Sequence, residues 1–244
     1  IYAEIKKQKL EKVLNDIELP LIPVIEKMEK RGVLIDKSYL KTLSKDYHKQ
    51  LSALEKKIYK HAGEEFNINS PKQLGVVLFD KLELAPKNQK KTGTGARSTK
   101  ESELQKMKDM HPIIKEIFAY RELQKLLSTY IDNIPELLDK DNRLHAKFIQ
   151  TGTTTGRMSS QNPNLQNIPI RTELGRKIRD AFIVSKGYKL VALDYSQIEL
   201  RVAAFLSEDE KLIENFREGG DIHTIVASEV FGVPIDKVDS EMRR

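Results

Sequence analysis

A mainly helical α+β fold is predicted by three features of this chain. Apolar residues recur at spacings of three and four along three stretches of the first 131 positions. The texture changes after Pro135, where short alternating or continuous apolar runs take over. Helical periodicity then returns from Gln197 onward. A length of 244 residues suits one large domain or two small ones.

The elements follow in order. Leu40, Leu43, Tyr47, Leu51, Leu54 and Ile58 form one narrow stripe down a long helix, with Ser38 as the expected N-cap and Ala62-Gly63 as the stop. Lys41, Lys45, Lys49 and Lys56 take the opposite, solvated face. Ser70-Pro71-Lys72-Gln73 has a cap serine, a proline at the first helical position and a capping-box glutamine, and opens a helix to about Leu82. A third helix begins near Pro112 and carries Ile113, Ile117, Tyr120, Leu127 and Ile131 on one face. The first and third helices are expected to pair antiparallel, each covering the other's stripe. Between them Pro86 to Lys100 holds Lys87, Lys90, Lys91, Arg97 and Lys100 and no acid, with Gly93 and Gly95 for flexibility. It reads equally as a solvated loop or as a phosphate-gripping tip of a helical hairpin.

Leu144 to Gln150 alternates like a strand, and 151–156 reads as its end and turn. Arg179 to Val184 and Lys189 to Asp194 are further strand candidates, the latter a buried one by its run Leu190-Val191-Ala192-Leu193. From Gln197 a helix places Ile198, Val202 and Phe205 on one face. Ser207 with Glu210 reads as a capping box for a helix ending at Gly219, Asp221 as the cap of the next, and Ser240 as the cap of one more.

Composition narrows the function. Mean hydropathy is −0.50, and no apolar run approaches the roughly 18 residues of a spanning helix. Cysteine is absent, which removes disulfides, thiolate-bound zinc and thiol chemistry. The net charge of +6 suits a polyanionic partner, as it also suits a merely basic protein. Asp194 ends the expected buried strand where a helix begins. There it either caps the helix or presents fixed oxygens to a hard cation such as magnesium. His223 falls in the first helical turn after Asp221, where backbone N–H groups favour an anion.

The stretch Asp194-Tyr195-Ser196-Gln197-Ile198-Glu199-Leu200-Arg201 resembles motif A of the family A DNA polymerases, the DNA polymerase I group. Thr155 to Ser160 with Pro163 to Pro169 resembles the motif upstream of it, and Asp221-Ile222-His223-Thr224 the segment downstream. Ser128-Thr129-Tyr130-Ile131-Asp132 is similar to the family's thumb-to-palm junction. The resemblance implies an entry segment at 1–36, a helical thumb at 37–134 with its basic tip at 86–100, part of an antiparallel palm sheet at 135–198, and the first fingers helices at 199–244. It implies a DNA-directed DNA polymerase with two magnesium ions, primer-template DNA and a dNTP as partners, and a place in the bacterial cytoplasm or a phage or organelle equivalent.

Carried over by residue, Asp194 and the Tyr195 carbonyl resemble ligands of one metal ion. Glu199 resembles the gate that excludes a ribose 2′-hydroxyl. Ser196, Gln197 and Ile198 line the nucleotide, and His223 and Arg243 face its triphosphate. Arg157, Gln166, Asn167 and Arg171 resemble residues holding primer and template. Asn69, Ser70, Gln73, Lys91, Arg97, Ser98, Thr99, Lys125 and Ser128 match positions that grip the DNA backbone.

The family's second metal-binding aspartate, in a His-Asp-Glu hairpin, is not in the sequence, nor are the lysine and tyrosine of motif B. The expectation is therefore a piece of a polymerase that needs a C-terminal palm and fingers portion as partner and is inactive alone. Two alternatives stand beside it. A non-catalytic DNA-binding module has no use for Asp194 and Glu199 together. A single-subunit RNA polymerase needs the room that Glu199 fills.

Overall fold

Two compact units make up the chain, Ile1–Lys189 and Leu190–Arg244. The structure is a computed structural model and describes residues 1–84, 86, 90, 93, 95–170 and 172–243.

The first unit opens with α1 (Tyr2–Lys7) and α2 (Glu11–Val13), which continues through a π-helical turn, Leu14–Glu18, into α3 (Leu19–Arg31). Gly32 stops α3 at φ 61°, donating to the Met28 carbonyl. A Cβ there would lie 2.8 Å from the Leu144 carbonyl oxygen and from the His145 ring, so the chain passes that segment too closely for a side chain. Strand β1 (Val33–Ile35) leads into α4 (Lys37–Ala62). The cap of α4 is Asp36, which accepts the Tyr39 N–H at 2.9 Å. Ser38, the expected cap, instead donates to the Asp36 carboxylate at 2.6 Å. Aspartate two residues earlier wins because its charge also favours the positive end of the helix.

Ser70 caps α5 (Pro71–Gly75), which runs on through the π turn Val76–Lys81. The capping box is not closed: Gln73 Oε1 accepts from the Asn67 N–H at 2.7 Å, because the Asn67 carbonyl already takes the Ser70 N–H. After α6 (Glu101–Gln105), His111 caps α7 (Pro112–Leu126), extended by the π turn Leu127–Ile131. Helices α4 and α7 run antiparallel. Ser44 donates to Asp132 at 2.7 Å near one end, and Lys57 pairs with Glu116 at 3.7 Å near the other.

The predicted stripes are the core: Leu40, Tyr47, Ile58, Ile113, Ile117 and Ile131 are all buried, with Leu54 half-buried at the edge. Truncating such a residue to alanine costs about 2–5 kcal/mol. Tyr47 keeps its hydroxyl satisfied by donating to the Leu174 carbonyl at 2.8 Å, and burial pushes its phenol up to about 12.

Strand β2 (Arg143–Leu144), β1 and β5 (Phe182–Ile183) form an antiparallel sheet in the order β2-β1-β5. Strands β3 (Lys147–Ile149) and β4 (Ser159–Gln161) form a second antiparallel pair with Phe148 opposite Ser160. Helix α8 (Glu173–Arg179), capped by Thr172, precedes β5. The expected strand 144–150 is thus divided between two sheets, and 179–184 contributes only its last part.

Glu29 of α3 is the reason for the first division. Its carboxylate takes the Phe148 N–H at 2.7 Å and the Lys147 ammonium at 2.8 Å, while its carbonyl bonds His145 at 2.7 Å. The other His145 nitrogen meets Asp139 at 3.0 Å. The Glu29 carbonyl, and then Asp139, hold the imidazole above its ordinary value, since donating to both requires the imidazolium. A raised folded value gives stability that is full below about pH 6.5 and lost as pH climbs through that higher value. We expect the thermal midpoint to fall across that window, and His145→Gln to flatten the fall. An unchanged slope in the variant would refute the role.

The second unit contains α9 (Ile198–Ser207), α10 (Glu210–Arg217) and α11 (Ile222–Phe231). Arg201 lies over the Phe216 ring at 4.6 Å and ties α9 to α10. Asp209, not the Ser207–Glu210 box, caps α10, accepting the Leu212 N–H at 2.9 Å. Ser207 accepts from Asp209 itself. The last predicted cap also shifts by one: Asp239 takes the Glu241 and Met242 N–H groups at 2.8 and 2.9 Å, in place of Ser240. The expected strand 189–194 has no partner among the described residues. Leu190, Val191 and Leu193 are 66%, 77% and 92% exposed. An apolar run signals burial, but a strand also needs a neighbour to take its hydrogen bonds. Ile198, Val202 and Phe205 do share the expected face, and that face is exposed.

Candidate nucleotide and nucleic-acid site

The motif with most chemistry lies at the start of α9. Asp194 and Tyr195 lie in irregular chain ahead of the helix, and Gln197 turns it into α9 in the left-handed region at φ 52°. The Ser196 carbonyl accepts the Arg201 Nε–H at 2.9 Å, which closes the turn. Asp194, Tyr195, Ser196, Ile198 and Glu199 are exposed. Gln197 is half-buried, and its Oε1 has no hydrogen-bond partner among the described residues. The structure therefore presents the whole predicted 194–199 set on one short outward-facing stretch.

The His223 backbone N–H and the Arg243 guanidinium, 20 residues apart in sequence, meet on one carboxylate. Asp221 caps α11, accepting the His223 N–H at 3.1 Å. Its second oxygen accepts the Thr224 hydroxyl at 3.1 Å and the Arg243 Nε–H at 2.5 Å. The Arg243 bond holds the Asp221 carboxyl below the usual carboxylate range. A cationic fork and the head of α11, the turn that carries His223, are thus tied together, an arrangement that suits a phosphate chain. Sequence reasoning identified Asp221 as a cap and missed its tie to Arg243, since nothing local signals a bond of that span.

The donors for a metal ion are fewer. Asp194 offers one carboxylate and Tyr195 a carbonyl. Among the described residues no group of three or more His, Asp or Glu side chains is placed to hold a metal ion. These donors do not fit a two-magnesium centre by themselves.

The predicted DNA-gripping residues fall into four places, the last of them the basic tip. At the start of α5, Asn69 donates to the Tyr120 hydroxyl at 3.0 Å, Ser70 is occupied as a cap, and Gln73 holds Asn67. On and after α7, Lys125 and Ser128 face solvent. Near β4, Arg157, Gln166 and Asn167 are exposed, with Gln166 Nε2 donating to the Met158 carbonyl at 3.1 Å. The Asn167 carbonyl accepts the Tyr130 hydroxyl at 2.6 Å, fixing this loop on the helical core.

The basic tip differs from expectation. Arg97 is paired with Asp80 and lies over the Phe79 ring at 4.7 Å. Ser98 and Thr99 are 3% and 6% exposed, turned into the protein rather than toward a ligand. Burial follows from their neighbours: the Thr99 carbonyl accepts from Arg121 at 2.8 Å, and Ser98 N–H donates to the Lys90 carbonyl at 3.0 Å. Buried Glu103 completes the base of the tip, accepting the Lys90 N–H at 3.0 Å and the Lys106 ammonium at 2.8 Å. Asp80, Phe79 and Glu103 gave no signal in the sequence, because a lone acid or aromatic at helical spacing reads as surface or core. Lys91 and Arg171 lie outside the described residues.

Known proteins resemble this chain over nearly its whole length. The family model for DNA polymerase family A matches residues 37–244. The thermostable DNA polymerase I of Thermus aquaticus is 52% identical over 231 residues, which are 94% of this chain and 28% of that protein. DNA polymerase I of Deinococcus radiodurans is 50% identical over 234 residues, 96% of this chain and 24% of its own length. Among solved structures, the POL domain of Pol1 from M. smegmatis in complex with DNA primer-template and dNTP superposes with a TM-score of 0.89 at 42% identity, covering 99% of this chain and 42% of that one. The chain spans about a quarter of the length of these curated relatives. With motif A at the head of α9 and matches running from the long α4 to the last turn of the second unit, the chain belongs to DNA polymerase family A.

Proposed function

We propose that this chain carries the primer-template grip and the nucleotide-binding segment of a DNA-directed DNA polymerase. The observation that carries the reading is the meeting of the His223 backbone N–H and the Arg243 guanidinium on Asp221, in the same unit as the exposed Asp194–Glu199 stretch. The M. smegmatis relative was solved with primer-template and dNTP, which supports the same two partners for this chain. The helical hairpin of α4 and α7 is then the thumb at 37–134, 1–36 its entry segment, 135–198 part of the palm and 199–244 the start of the fingers.

In the whole enzyme the primer 3′-hydroxyl oxygen bonds to the α-phosphorus of the dNTP, the bond to the β-phosphate oxygen breaks, and pyrophosphate leaves. This chain's share is binding and orientation. His223, Arg243 and the head of α11 hold the triphosphate. Ser196, Gln197 and Ile198 bound the sugar and base. Glu199 fills the space of a 2′-hydroxyl. Asp194 and the Tyr195 carbonyl are the donors this chain offers to magnesium, and two ions need acidic donors beyond them.

The reading is tested by mixing the chain with the remainder of a family A polymerase and comparing dNTP with rNTP extension. Glu199→Ala should retain dNTP extension and admit ribonucleotides roughly 10- to 100-fold better, the worth of about 1–3 kcal/mol of lost exclusion. Equal use of both nucleotides by the unaltered chain would favour an RNA polymerase. No extension under any mixture, with duplex binding retained, would favour a non-catalytic DNA-binding module.

A further inference from the structure

We propose that Asp221 is a positioning residue for the nucleotide triphosphate, acting through Arg243. This rests on the polymerase reading and adds a residue to it. Capping α11 uses one Asp221 oxygen, the one that accepts the His223 N–H at 3.1 Å. Serine or asparagine would serve that purpose equally well. The second oxygen does something a cap does not require: at 2.5 Å it fixes the Nε of a residue 22 positions later.

Arg243 stands on a turn that is itself held, with its N–H on the Asp239 carbonyl at 3.1 Å and the preceding N–H groups on the Asp239 carboxylate. The guanidinium is planar and rigid, so a bond at Nε sets the direction of the Nη fork. Among the described residues that fork has no other partner, and the Arg243 side chain is 47% exposed. His223 stands in the turn Asp221 caps. One carboxylate therefore ties the Arg243 guanidinium to the head of α11, two phosphate-binding groups drawn from separate segments.

The device has a cost that makes it testable. A carboxylate beside an anion site repels the anion. Removing its charge would by itself raise phosphate affinity, so a fall in affinity on Asp221→Asn cannot come from charge and must come from lost positioning. Asparagine also retains the cap, which keeps α11 intact.

The probe is inorganic tripolyphosphate, titrated into the 244-residue chain at low ionic strength with chelator present. Nuclear magnetic resonance follows the Arg243 Nε–H and the first amides of α11. In the unaltered chain the Nε–H should be protected from solvent and should shift on titration. Asp221→Asn should remove the protection and weaken tripolyphosphate roughly two- to fivefold, the scale of a half-exposed ion pair. In an Arg243→Ala background the same substitution should no longer weaken binding. Asp221→Ser, a second cap-retaining variant, should behave like Asp221→Asn. If Arg243→Ala weakens binding but Asp221→Asn leaves it equal or tighter, the positioning role is overturned while the triphosphate site stands. If Arg243→Ala changes nothing, the site reading fails and the positioning role with it.

Discussion

Alone, with primer-template, dNTPs and magnesium, the chain is expected to leave the primer unextended. Two divalent ions about 4 Å apart repel by roughly 16 kcal/mol at an effective dielectric of about 20, and several acidic oxygens must offset that. The described residues supply Asp194 and no three-residue acidic or histidine cluster. Each missing electrostatic donor costs about 3–4 kcal/mol of barrier, near 10²- to 10³-fold in rate, so two losses take turnover below detection. Mixing with the remainder of a family A polymerase should restore extension, and Asp194→Ala should abolish it again. Robust extension by the chain alone would sink the claim. It would point to Glu208, Asp209 and Glu210 as a misread acidic site, although Asp209 is already committed to the Leu212 N–H.

How far the sequence reaches is visible in particular residues. The helices were legible because a stripe such as Leu40 to Ile58 needs only local periodicity and one facing partner, and α7 provides it. Caps were legible to within a residue or two: Asp36 for Ser38, Asp209 for Ser207 and Asp239 for Ser240 are each a nearby side chain with a better acceptor. Strand limits were not, since Glu29 decides from 118 positions away where Lys147 sits. The run 190–193 carried the right apolar signal and the wrong inference, because pairing depends on what lies beside it. At the candidate site the motif gave 194–199 and the Asp221 cap. It did not give the bond to Arg243 or the Asp80 carboxylate on Arg97, which only the folded chain brings together.

Those same ion pairs shape the second large effect, a steep loss of duplex affinity with salt. Lys72, Lys90, Lys91, Lys100, Lys125, Arg157 and Arg171 are cations on or beside the predicted grip, enough for six or more phosphate contacts. Releasing that many counterions lowers affinity about 10³-fold or more between 50 and 200 mM salt, for any base sequence. Fluorescence anisotropy of a labelled primer-template across that range measures it. Equal affinity at both ends, or strong preference for one sequence, would count against the grip. The structure also ranks the cations. Lys125 faces solvent on α7, so Lys125→Ala should reduce the logarithmic salt slope by about one. Arg97 is already neutralised by Asp80 and has few counterions to release, so Arg97→Ala should change the slope by well under one. Binding should still weaken, because Asp80 is then left facing the DNA as a bare negative charge. Asp80→Asn makes the opposite change, freeing Arg97 for phosphate, and should raise both affinity and slope. If Arg97→Ala and Lys125→Ala alter the slope equally, the Asp80 pair does not persist in solution, and the tip grips DNA in the way its sequence alone suggested.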